Sequence, residues 1–273
     1  MMSFAPEIVV VVVVAGLLCG FLNTVASSGS AVSLPILMSV GLHAAAANAT
    51  NRIPVLVGAI AATVGLARNG SIPWRRALLA AAPLTAGAAL GAMASEFLPG
   101  HDLRKFIVAA VVLALILILT KLKNLLSAVG DGNVRLGVKS MSLLFLVGIW
   151  TGFIVLDSGT YMLLVLVLAA GLTLVEANAI KNFATLLTTA TAMAVFLQHQ
   201  SIDWNIGGIM ATGSLIGGLL GARLAVSDKA RRWIVALLVI VIFAELIHLA
   251  VPFHWLDTRV VSAINAYSDN ALD

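Results

Sequence analysis

Two basic residues, Arg52 and Lys181, stand inside long apolar stretches where a charge has no water to face. Each lies about 14 Å along the helical rise from the nearest surface, close to the middle of a hydrocarbon core roughly 30 Å thick. An ionisable side chain at that depth is costly and marks either a transport pathway or an ion pair. The two cations outnumber the one acid placed near them, Asp157, which favours a site for an anion over a simple pair. Amides accompany both cations: Asn48 and Asn51 near Arg52, Asn178 and Asn182 near Lys181. Their N–H groups suit oxyanion oxygens, and bonding between helices is the structural alternative. Two small-residue breaks, Ser28-Gly29-Ser30 and Ser158-Gly159-Thr160, each precede a short apolar segment. Serine and threonine are good helix N-caps, and glycine lets the chain turn sharply. The expectation is a half-helix whose free N–H groups and positive dipole end face an anion at depth. Asp157 is either a proton carrier or the counter-ion of Lys181. Glu245 and His248 form a second candidate relay, read as packing or lipid-edge residues because the other half of the chain has no match for them.

Such residues need a membrane around them, and the composition supplies it. Of 273 residues 61% are hydrophobic and 10% charged, against roughly 25% charged in an ordinary soluble domain. The mean hydropathy is +1.07. This excludes a water-soluble enzyme, a nucleic-acid-binding domain and a disordered chain. The net charge of +4 reads as loop lysines and arginines on the cytoplasmic side rather than a nucleic-acid surface. Cys19, the one cysteine, rules out an internal disulfide or a thiolate metal cluster. No metal-ligand cluster, phosphate-binding loop or nucleophile motif is present, so no cofactor is expected. An intramembrane hydrolase would have to use a serine of the first break, and no histidine is placed to serve it. The apolar run Ile8 to Leu18 lacks a basic flank and is read as a retained membrane helix, not a signal peptide.

Polar breaks divide the chain into ten apolar segments: Glu7–Ala26, Ala31–Gly41, His43–Ala67, Trp74–Leu98, Leu103–Leu122, Ser140–Leu156, Tyr161–Gly171, Leu174–Gln198, Trp204–Ala225 and Arg231–Val251. The second and seventh cover about half a bilayer and are predicted half-helices. The pattern repeats. Ser28-Gly29-Ser30 returns as Ser158-Gly159-Thr160, Ala47-Asn48-Ala49 as Ala177-Asn178-Ala179, and Ser71-Ile72-Pro73-Trp74 as Ser201-Ile202-Asp203-Trp204. Gly87 and Gly91 return as Gly217 and Gly221, small-residue faces for close helix packing. Most matches share an offset of 130 residues, the mark of an internal duplication.

Charge decides the orientation of the halves. If each half-helix folds back beside the helix before it, three further crossings leave the second half upside down. Eleven basic residues then face the cytoplasm: Arg68, Arg75, Arg76, Lys121, Lys123, Arg135, Lys139, Arg223, Lys229, Arg231 and Arg232. Arg104, Lys105 and Arg259 face the other side, whereas a parallel arrangement splits the charges evenly. The predicted fold is an all-α polytopic membrane protein of two inverted repeats, each a helix-break-half-helix hairpin followed by three transmembrane helices. Residues 1–122 form the first repeat, 123–139 a cytoplasmic linker, 140–252 the second repeat and 253–273 a short non-cytoplasmic tail. Both termini are expected outside the cytoplasm.

With these residues in hand, the chain resembles the TauE/SafE sulfite exporter family, also called TSUP. The resemblance rests on the duplicated half, the Gly-Phe helix (Gly20-Phe21, Gly152-Phe153), the small-residue break and the Ala-rich third helix with its asparagine. It also rests on the Ile-x-Trp element and the Leu-Gly-Ala stretch (Leu90-Gly91-Ala92, Leu220-Gly221-Ala222), and covers roughly residues 7–250. The family's break is usually richer in glycine than Ser-Ser-Gly-Ser or Asp-Ser-Gly-Thr. The resemblance implies export of sulfite, sulfoacetate or a related organosulfonate across a bacterial inner membrane, coupled to an ion gradient. The expected partners are a small anion, the bilayer and protons as the candidate coupling ion, with homo-oligomerisation left open; a passive anion channel is the alternative.

Overall fold

The computed structural model describes residues 6–96, 136–156, 158–199 and 202–227, with 232–234, 236–237 and 240 beyond them. The expected helix Leu103–Leu122, most of that at Arg231–Val251, the tail, and Asp157, Glu245 and His248 lie outside the described residues. Within the described residues all regular structure is helical, and five spans are long and apolar enough to cross a membrane. An apolar run in lipid has no water for its backbone, so even the valine-rich stretch from Val9 to Val14 closes its hydrogen bonds as a helix.

The first half holds α1 (Pro6–Val25), α2 (Ser30–Ser39), α3 (Ala44–Thr50), α4 (Arg52–Arg68) and α5 (Trp74–Glu96). The second holds α6 (Val138–Phe153), α7 (Ser158–Leu164, continued by a π turn over Val165–Ala169), α8 (Leu174–His199) and α9 (Trp204–Ala225). The two predicted half-helices are therefore present, as α2 and as α7 with its π turn. Each ends at a glycine with positive φ, Gly41 at 101° and Gly171 at 74°. A side chain is strained in that conformation, so these positions stop the helix. The third segment of the first half is one span in two pieces, α3 and α4, where a single helix was expected. Pro54 has no N–H to give the carbonyl of Thr50, and the helix is interrupted at Asn51. Ala184 stands 130 residues on, and α8 runs unbroken.

The halves exchange partners. α1 packs along α9, and α5 along α6. Glycines make both crossings close. A Cβ on Gly16 or Gly20 would run into the backbone of Met210 or Ser214, and one on Gly213 or Gly217 into Val13 or Leu17. At the other crossing, Gly87 and Gly91 face Phe145 and Ile149, while Gly148 and Gly152 face Leu84 and Ala88. The glycine faces read from the sequence are thus the seams between the halves. Residue numbers rise together across each seam, so α1 and α9 run parallel, as do α5 and α6. α4 also lies on α9, from Ile53 against Gly207 to Gly65 against Ala222, and the hydroxyl of Ser214 donates to the Pro54 carbonyl at 2.6 Å. At the start of α5, Arg76 pairs with Glu176 in the first turn of α8 at 3.2 Å, and Trp74 meets Phe183, further along α8, edge-on.

Candidate functional site

The first break is set by Ser27, a non-glycine residue in the left-handed region at φ 71°. The N–H groups of Ala26 and Ser27 both return to the Leu22 carbonyl, at 2.7 and 2.8 Å. Stopping there leaves the carbonyls of Asn23 and Thr24 without the partners a longer helix would give. Lys181 supplies one from the other half. Its Nζ donates to the Asn23 carbonyl at 2.6 Å, the Thr24 carbonyl at 3.3 Å and the Ser27 hydroxyl at 3.1 Å. Asn182 Nδ2 adds bonds to the Thr24 carbonyl at 3.0 Å and the Asn178 carbonyl at 2.9 Å.

The first half treats the end of α6 in the same way. Arg52 forks onto the carbonyls of Thr151 and Gly152 at 2.7 and 2.8 Å, and Asn48 Nδ2 donates to the Phe153 carbonyl at 3.2 Å. The guanidinium carbon lies 5.2 Å from the centre of the Phe196 ring. Each half's cation therefore caps the C-terminus of the other half's first helix, where the backbone dipoles leave partial negative charge. Arg52 is 0% and Lys181 1% exposed. Among the described residues no buried carboxylate accompanies them, and the Arg76–Glu176 pair is well exposed.

The breaks meet. A Cβ placed on Gly159 would fall 2.6 Å from Ser27 Cβ and 3.2 Å from Lys181 Cδ, so a glycine lets the second break touch the first. Beside this contact lies a small cavity of about 10 Å³, room for roughly one water. Asn23, Thr24 and Ser27 line it from the first break, with Val55 and Ala59 from α4. Val155, Ser158 and Gly159 line it from the second break, with Lys181, Asn182 and Thr185 from α8.

Of the residues expected at the site, Lys181, Asn182, Ser158 and Gly159 converge on this cavity, while Arg52, Asn48, Asn51, Asn178, Ser28, Gly29, Ser30 and Thr160 do not line it. Asn51 instead accepts a 2.6 Å bond from the Ser33 hydroxyl. Asn51 Nδ2, Asn48 Oδ1, Asn178 Oδ1 and Arg52 Nε are buried without a hydrogen-bond partner.

At the start of α2 the capping expected of the break hydroxyls is corrected. The N–H of Gly29, at the start of α2, goes to Asn23 Oδ1 at 2.9 Å, and no side chain at the N-cap position caps the helix. Ser28 and Ser158 donate backward, to the carbonyls of Ala26 and Val155. Ser30 Oγ and Thr160 Oγ1 are buried without a partner. The preceding helix end offers carbonyls within reach, and the Ser28 and Ser158 hydroxyls donate to them.

Sequence reading passed over Asn23, Thr24 and Thr185. Thr185 was legible, four residues from Lys181 and three from Asn182 on one helix face. Asn23 and Thr24 act largely through their backbone carbonyls, which no side-chain pattern announces. Among the described residues no three His, Cys, Asp or Glu side chains come together to hold a metal.

The profile of the family described as sulfite exporter TauE/SafE matches residues 12–246. A probable membrane transporter protein, ORF9, of a Sinorhizobium species is 29% identical over 255 residues, covering 93% of this chain and 97% of its own. The probable membrane transporter protein YfcA of Escherichia coli K12 is 24% identical, with 92% and 95% covered. A probable membrane transporter protein of Haemophilus influenzae is 26% identical, with 89% and 94% covered. No solved structure matches the chain. With the match running through both halves, the seams between them and the cavity, the chain belongs to the TauE/SafE sulfite exporter family of membrane transporters.

Proposed function

We propose that the protein is a secondary transporter exporting a small sulfur-containing anion, such as sulfite, sulfoacetate or a related organosulfonate, across a bacterial inner membrane. The observation that carries this reading is Lys181: a buried ammonium lining a polar cavity where the breaks of the two halves meet. A cation at depth beside a polar space suits an anionic ligand. Asn182, Ser158 and the Gly159 backbone line the same space as the proposed further ligands, once released from their bonds within the protein. Arg52, with Asn48, Asn51 and Asn178, forms the outer part of the positive field. Ser28, Gly29, Ser30 and Thr160 keep the half-helix starts buried near the centre. The sulfur chemistry comes from the family's name and not from the cavity.

The anion is larger than a 10 Å³ space, so binding requires the halves to move apart and alternating access becomes the natural mechanism. Exchange of partners between halves, with parallel α1–α9 and α5–α6 seams, is what two inverted repeats would give. The division at 1–122, 123–139, 140–252 and 253–273, and termini outside the cytoplasm, follow from that reading and from the basic residues. Protons are the proposed coupling ion and Asp157 the proposed carrier, on its place beside the second break in sequence. No cofactor is invoked, and the protein acts on its substrate without covalent chemistry.

The test is sulfite and sulfoacetate flux in proteoliposomes with and without a proton gradient. Uphill flux that needs the gradient supports the coupled exporter. Downhill flux indifferent to it supports the passive channel and leaves Asp157 a counter-ion. Wild-type flux in both Arg52→Ala and Lys181→Ala would overturn the site.

A further inference from the structure

The donors around the cavity are already committed to the protein itself. An ammonium has three N–H groups, and those of Lys181 have three acceptors, all between residues 23 and 27. The amide of Asn182 has two N–H groups, one on the Thr24 carbonyl and one on its own helix. Asn23 serves twice over, its carbonyl under Lys181 and its side-chain oxygen on the first amide of α2. An anion entering here meets donors whose places are taken, in a space that holds about one water.

From this we infer that Lys181 is a latch as well as a ligand: it holds the end of α1 against α8, and the anion replaces the α1 carbonyls and so frees residues 23–29 to move. The inference rests on the reading of Lys181 as a substrate ligand and adds what must break when substrate binds. Two features fit a part built to release. Ser27 sits in a left-handed conformation that a non-glycine residue adopts under strain. Asn23 ties the end of α1 to the start of α2, so that losing the Lys181 contact moves the half-helix with it. Asn23 is thus the positioning residue that transmits occupation of the site to the first hairpin. Arg52 on the end of α6 is the equivalent latch of the other half, held by a fork and away from the cavity.

The test needs no transport. Cys19, the one native cysteine, is replaced by alanine, and a cysteine is introduced by Ser27→Cys, a buried site under the latch. Its rate of reaction with N-ethylmaleimide is measured in purified protein with Lys181 present and in Lys181→Met. The latch predicts a rise of at least tenfold in Lys181→Met. A cysteine made by Ser214→Cys, buried in the α4–α9 seam, should keep its rate. A Ser27→Cys rate within twofold of the parent overturns the proposal, as does an equal rise at both positions, which would mean general loosening. If Lys181→Met does not fold, Lys181→Gln, one atom shorter and uncharged, carries the same expectation. Failure of flux with intact latch behaviour would reject the substrate reading alone, and the reverse result would reject the latch alone.

Discussion

The two breaks face each other at Gly159 and Ser27 with no room for a side chain on Gly159, which makes a quantitative test. In Gly159→Ala the new methyl would sit 2.6 Å from Ser27 Cβ and 3.0 Å from its hydroxyl. Carbon atoms rest about 3.5–4.0 Å apart, so the breaks must separate by about 1 Å. Overpacking of this kind costs about 1–3 kcal/mol. The same displacement draws the end of α1 away from Lys181, whose bond to the Asn23 carbonyl is 2.6 Å. Ser27→Gly removes both clashing atoms and suits the 71° φ, at the expense of one acceptor for Lys181. By itself it should be mildly destabilising, because the lost bond to a buried ammonium, about 1.5–3 kcal/mol, outweighs about 1 kcal/mol of relieved strain. In Gly159→Ala it should rescue. The assay is a double-mutant cycle on unfolding free energy in detergent, read beside sulfoacetate flux. The expected coupling is at least about 1 kcal/mol, with flux lost in Gly159→Ala and recovered in the double variant. Additivity within about 0.5 kcal/mol would refute the claim that the breaks meet at this contact.

Other substitutions test the seams and caps. Gly217→Ala drives a methyl into the Leu17 and Phe21 backbone and should destabilise by about 1–3 kcal/mol in thermal unfolding, whereas Gly208→Ala, on the same helix with nothing within 4 Å, should be neutral or stabilising. Equal effects would mean that helix propensity, not the seam, decides. Arg52→Lys keeps the charge but loses the fork on Thr151 and Gly152, leaving a buried carbonyl unsatisfied for about 1–3 kcal/mol by chemical denaturation; unchanged stability would show that charge alone holds the end of α6. Gly41→Ala, at φ 101° in open space, should cost about 1–2 kcal/mol from backbone strain alone, and no loss of melting temperature would show that the half-helix does not need its stop there.

The helices, the two half-helices and the glycine faces were legible because each has a one-dimensional signal: apolar length, a small-residue break, or a four-residue spacing. The interruption at Asn51 had its signal in Pro54, although a proline three residues past the break reads from sequence as a kink within one helix. The acceptors at the site gave no comparable signal. Lys181 and Arg52 looked like charges awaiting a substrate because side chains alone were counted, and among those Asp157 was the one anion nearby. The acceptors the structure provides are main-chain carbonyls at two helix ends. Every residue carries a carbonyl, and which ones lose their helical partner depends on where the helix stops. Ser27 adopting a positive φ decides that for α1, and a serine in sequence does not announce it.

The departures from repeat symmetry then bear on which half handles substrate. Both cations cap the other half's first helix, so capping is the shared role and cannot by itself distinguish them. The differences lie around it. Arg52 follows a break in its span, forks onto two carbonyls and lies near an aromatic ring; Lys181 rides an unbroken helix and offers a compact ammonium. A planar fork matched to two carbonyls is hard to exchange for a mobile ligand, whereas a point charge on a flexible stem turns readily from one acceptor to another. The cavity lies beside the exchangeable cation, with Asn182 and Thr185 on the same face. The fork on the end of α6 therefore suits a fixed contact, and the ammonium on the end of α1 suits the opening proposed for Lys181.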